Sequence, residues 1–217
     1  MAPSDRPAER HRQVGQLFTD RVRGTRFWDA PSPVAGWVAR DIVRHLTQWL
    51  PGFLSAGAAI ELPSGPSVDD DPVAAWQTHC AAVQALLDDP ATADRVLANP
   101  HTGALALDRA IDQFYTADVF MHTWDLARAT GQDDRLDSDF CAELLAGMEL
   151  LEEVMRSSGQ YGARVPVKDD ADAIDQSNII GEHTLSAKPA QMYQEPGDEE
   201  SLDGADDGPS RVARGLN

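Results

Sequence analysis

The chain reads as an all-α protein, and three observations predict this. Apolar residues recur at three- and four-residue steps through most of the first 157 positions. Clusters of Pro, Gly and Asp separate the periodic segments, and no apolar/polar alternation runs long enough to build a sheet. The expected architecture is four main helices packed as a bundle, with a fifth as a covering element.

The first helix is predicted over residues 6–23, where Val14, Leu17, Phe18, Arg21 and Val22 form one stripe. The segment FWDAPSPVAG, residues 27–36, is a Pro-rich connection, extended before Pro33. A second helix follows over residues 38–56, and Pro51 within it should kink or restart it because proline removes a backbone donor. Asp69, Asp70, Asp71 and Pro72 suit a helix N-terminus, so the third helix should begin there and run to residue 87, before Asp88-Asp89-Pro90. The fourth and longest pattern spans residues 104–130, with Gly131 as the residue that closes it. A fifth helix is expected over residues 138–157.

Charge divides the chain in two. It has 217 residues and a formal charge of −18, from 36 acids against 18 Lys and Arg. Residues 168–217 hold twelve acids and four bases, which supplies −8 of that total. With few apolar residues and much like-charge repulsion, the end of the chain has little with which to offset the entropy of ordering. The division expected is a helical domain over residues 1–172 and an acidic, disordered tail over residues 173–217. So acidic a surface argues against nucleic acid and against anionic membranes as partners. No apolar stretch is long enough for a membrane span, and the charged N-terminus lacks the apolar core of a secretory signal, so a cytoplasmic location is expected. Cys80 and Cys141 each lie in an apolar helical run without metal-ligand spacing, and are expected to be buried free thiols.

The chemistry concentrates in DVFMHTWDLAR, residues 118–128, which sets Asp118, His122 and Asp125 on one helix face. A carboxylate and an imidazole one turn apart can converge on a divalent cation, given a third ligand from another helix. His45 is the best candidate, on a helix whose remaining face carries Ile42, Val43, Leu46 and Trp49. Two histidines and a carboxylate leave a coordination position open, as catalytic zinc sites do. The same spacing also serves ion pairs and satisfied core histidines, so the residues alone leave both readings open. Asp41, four residues before His45, suits a dipole-stabilising acid at the helix start better than a ligand. His11, His79 and His101 have no partner at ligand spacing and are expected at the surface or in caps. Asp125 and Arg128 have the spacing of an intrahelical ion pair, Trp124 that of a packing residue, and orientation of His122 is the functional alternative for this group.

Two blocks, SPVAGWVARDIVRHL (residues 32–46) and DVFMHTWDLARATG (residues 118–131), resemble the DinB-like metal-binding helical bundles. The resemblance is to the actinobacterial branch related to mycothiol-dependent maleylpyruvate isomerases. A weaker echo lies in YGARVPV, residues 161–167, and the likeness stops after Asp172, where such proteins usually continue into an apolar segment packed on the bundle. It implies a metal triad of His45, Asp118 and His122, with zinc first and nickel or another first-row ion as alternatives. Many members use three histidines or a glutamate, so Asp118 is a departure that leaves ion and geometry open. The activity implied is a transferase or isomerase that uses a metal-held thiolate of a low-molecular-weight thiol, mycothiol in type, against an electrophilic substrate. The alternative is a helical bundle that binds a metal or ligand without turnover. Apolar surface left open beyond residue 172 would favour a homodimer. His183, in the unmatched region, is not expected to be a ligand.

Overall fold

The computed structural model describes residues 2–99 and 103–157, with side chains as far as Gly147. The helices are α1 (Pro7–Gly24), α2 (Ala39–Ala58), α3 (Pro72–Asp88), α4 (Leu107–Ala110), α5 (Ala117–Thr130) and α6 (Ser138–Ser157). A π-helical turn, Ile111–Thr116, joins α4 to α5 without a break. The protein is mostly helical, as expected, but it also holds a two-stranded antiparallel hairpin, β1 (Val96–Asn99) with β2 (Gly103–Ala106). The acidic tail, YGARVPV, His101 and His183 lie outside the described residues.

The helix boundaries follow from local chemistry. Proline occupies the first turn of α1 and of α3, where a missing N–H is no loss. The Asp71 carboxylate accepts from the Ala74 N–H at 2.9 Å and caps α3. At the start of α2 the Val38 N–H donates to Asp41 Oδ2 at 2.9 Å, so Asp41 serves the helix end as its position suggested. Pro51 does not restart α2, which continues from Ala39 through it to Ala58. Gly131 closes α5 in the left-handed conformation, φ 68°, where a Cβ would be strained.

The hairpin corrects the expected helix over residues 104–130. Ala104, Leu105 and Ala106 are good helix formers, yet they pair with residues 96–98, in register Val96↔Ala106 and Leu97↔Leu105. Gly103, with φ 75°, ends the helical option on its N-terminal side, and buried Leu97 joins the core. The longest helix therefore starts three residues late and contains the π turn, closed by the Ala117 N–H donating to the Asp112 carbonyl.

α1 lies against both α3 and α5, and α2 lies against the same two. Their shared interior is one contiguous core that includes Phe18, Val22, Ile42, Leu46, Leu50 and Trp76. α6 begins over this group, with Phe140 edge-to-face on Phe120 at 4.6 Å and the Arg10 guanidinium 5.0 Å above the Phe140 ring. Burial of α2 against α5 is what brings residue 45 towards residues 118 and 122. Among the described residues no helix is long and apolar enough to cross a membrane.

Candidate metal centre

α5 places Asp118 and His122 one turn apart, and α2 presents His45 opposite them. One ligand atom from each of the three lies within 4.8 Å of the others, so the residues named from sequence do meet. His45 Nε2 is 3.0 Å from Asp118 Oδ2, and His122 Nε2 is 3.5 Å from Asp118 Oδ1. Their side chains are 9%, 16% and 4% exposed for His45, Asp118 and His122, so the group is nearly sealed.

The proton positions follow from the partners. Asp125 Oδ2 lies 2.7 Å from His122 Nδ1 in a buried contact. A carboxylate can only accept here, so Nδ1 carries the hydrogen and the neutral ring keeps its lone pair on Nε2. That Nε2 is buried without a hydrogen-bond partner, beside the Asp118 carboxylate. A lone pair facing an anion in a buried site calls for a cation between them, either a proton or a metal ion. The electrostatics agree with this. Burial opposes charge on His122, but Asp118 and the Asp125 hydrogen bond outweigh it and raise its pKa. Burial likewise opposes charge on Asp118, and the two imidazoles with the Trp49 N–H outweigh it and hold the carboxyl below its ordinary value. These residues fit a divalent ion: two imidazole nitrogens and one carboxylate are a borderline donor set with room for a further ligand.

Two tryptophans were not legible as part of the site. Trp49 donates its indole N–H to Asp118 Oδ2 at 3.0 Å, although it was expected on the apolar face of α2. The i+4 step from His45 places it beside the imidazole, with ring centroids 6.2 Å apart. Trp37 lies over both histidines, 5.3 Å from the His45 ring and stacked 6.0 Å from that of His122. The loop before α2 fixes Trp37 through its backbone, which accepts from the Ser32 N–H and donates to the Val34 carbonyl, each at 3.0 Å.

Other expectations change. Asp125 pairs with His122 rather than Arg128, because its helical position turns it inward. Arg128 instead pairs with Asp134 at 3.0 Å and lies 5.3 Å over the half-buried Trp124 ring, on the outer side of α5. Asp41 stays outside the triad and pairs with Arg44. His11 and His79 are buried, at 0% and 5% exposure, not at the surface or in caps. Cys141 is buried and Cys80 partly so, and burial pushes the Cys80 thiol up to about 11.

Over 132 residues the chain is 30% identical to the uncharacterized protein Rv0738 of Mycobacterium tuberculosis strain H37Rv. The uncharacterized protein MT0763 of M. tuberculosis strain CDC 1551 is similar to the same degree. The match covers 56% of this chain and 64% of each relative, so the chain spans less than two thirds of the curated relatives it matches. No family model matches the chain, and no solved structure matches it.

Proposed function

We propose that this chain is a DinB-like helical bundle that binds one divalent ion, zinc first, at His45, Asp118 and His122. The observation that carries the reading is the meeting of three ligand atoms from two helices within 4.8 Å. The buried, unpartnered Nε2 of His122 supports it from the side of hydrogen bonding. The packing of α1 and α2 each against α3 and α5 supports the bundle.

The use proposed for the ion is activation of a low-molecular-weight thiol, mycothiol in type, for transfer to an electrophile or for isomerisation. A bound divalent cation supplies positive charge that lowers a thiol pKa from about 8.5 into the neutral range. The protein's own residues set the site up for this. Asp125 holds the His122 proton on Nδ1 and frees Nε2, while the Trp49 N–H orients Asp118. Trp37 covers both imidazoles and limits water there. Cys80 and Cys141 have no part in it.

The low exposure of the triad favours a second reading, a metal-binding protein without turnover. One experiment separates the two. Elemental analysis of purified protein should give one metal ion per chain, lost in His45→Ala and in His122→Ala. The intact protein should then conjugate mycothiol to a chromogenic haloarene in a metal-dependent way. Metal without thiol turnover selects the binding reading, and wild-type protein that takes up no zinc or nickel on reconstitution removes both.

A further inference from the structure

A second polar cluster lies behind the triad, on its Trp49 side. It is built by His11 of α1, His79 of α3 and Tyr115 of the π turn. The Tyr115 ring contacts those of His11, His79 and Trp49, with centroids 6.0, 5.6 and 5.6 Å away. His11 Nε2, His79 Nε2 and Tyr115 Oη are each buried without a hydrogen-bond partner, and so is Oγ1 of the next residue, Thr116. Native interiors leave few such atoms unpaired, so several on touching rings and the adjoining residue mark a place where something binds.

The chemistry of these atoms says what binds. Gln84 donates its amide hydrogens to the Ala8 carbonyl and Asp88, at 3.1 and 3.0 Å, which leaves its Oε1 facing His11 Nδ1 at 2.9 Å. His11 Nδ1 therefore donates, and Nε2 presents a bare lone pair. Tyr115 presents an O–H. Burial lowers the pKa of His11, pushes that of His79 down to about 4 with His11 adding to it, and raises that of Tyr115. All three are neutral at pH 7, so the occupant has no charge to meet. It must donate to an imidazole and accept from a phenol, and it must be small. At Gly15, beside His11, an added Cβ would come within 2.9 Å of Cys80 Sγ, so α1 and α3 approach closely next to the cluster.

We propose that His11, His79 and Tyr115 form a built site for internal water, which ties α1 and α3 to the π turn immediately before Asp118. Water alone among common neutral molecules of that size both donates and accepts in several directions. The site is independent of whether the triad holds an ion, and its test uses full-length protein treated with chelator.

A crystal structure resolving ordered solvent should show density within hydrogen-bond distance of both His11 Nε2 and Tyr115 Oη. Tyr115→Phe should remove density at the ring's end and lower the urea midpoint, because a hydroxyl bound to water is lost. A dry chamber gives the opposite sign: deleting an unpaired hydroxyl raises the midpoint. Should the variant fail to fold, the wild-type density decides alone. Its absence, where other buried waters are visible, overturns the proposal.

Discussion

At the residue scale, the least replaceable contact beyond the triad is the one between Asp125 and His122. It is buried on both sides and fixes which imidazole nitrogen faces Asp118. Without the carboxylate, Nδ1 loses its acceptor and the ring is free to take the other tautomer or to turn. Supporting partners of this kind are worth about 10- to 100-fold in metal affinity. Asp125→Ala should therefore weaken zinc binding within that range, read by competition with a chromophoric chelator, while Asp125→Asn, whose amide oxygen still accepts from Nδ1–H, should recover part of it. Equal affinities in all three proteins would reduce Asp125 to a packing residue. Asp118, His122 and Asp125 were legible as one face because helical periodicity puts steps of four and seven residues in line. The partner of Asp125 was not, since helix spacing offers His122 and Arg128 at the same distance of three residues. Only burial chooses between them: an inward carboxylate meets the imidazole, and the exposed arginine turns to Asp134.

At the scale of elements, α2 ends less favourably than it starts. Ala59 is in the left-handed region, φ 50°, with its N–H donating to the Ser55 carbonyl at 3.1 Å and the Ile60 N–H to the Leu54 carbonyl at 3.2 Å. These bonds satisfy the last carbonyls of the helix and bring Ile60 into the core. An alanine held there costs about 1 kcal/mol against its Cβ, which glycine lacks. Glycine also loses more entropy on folding, which takes back part of the gain. Ala59→Gly should stabilise the protein by several tenths of a kcal/mol, up to about 1. Urea unfolding at constant m-value measures it, and a lower midpoint would mean that the strain is relieved elsewhere. Helix ends of this kind were partly legible: Gly131 was, because glycine announces the conformation, and Ala59 was not, because alanine does not. The hairpin was missed for the complementary reason. Leu105 reads locally as a helix former, and its strand state comes from Leu97, eight residues earlier in the chain.

For the whole molecule, the buried histidines set an opposed pair of pH effects in the metal-free protein. His79 is neutral in its buried position, with a folded pKa near 4 against an ordinary value of 6.5. The unfolded chain takes up that proton first as the pH falls, so stability is lost from about pH 6.5 downward, and the loss is complete below about pH 4. The size is roughly 3 kcal/mol for His79 alone, and His11, lowered by the same cause, adds to it. His122 acts in the other direction. Its folded pKa is raised, so its contribution is full below 6.5 and fades as the pH rises through the raised value. Asp118, held below its ordinary 3.8, contributes above that value and loses its share only at the acid extreme. Together these place maximum stability of chelator-treated protein near pH 6.5, with a fall on either side. Urea midpoints at pH 4.5, 6.5 and 8.5 should trace that shape. His79→Gln, which cannot titrate, should flatten the acid limb and leave the alkaline one unchanged. An acid limb as steep in the variant as in the wild type would show that His79 takes up its proton without cost, and so that its ring reaches bulk solvent.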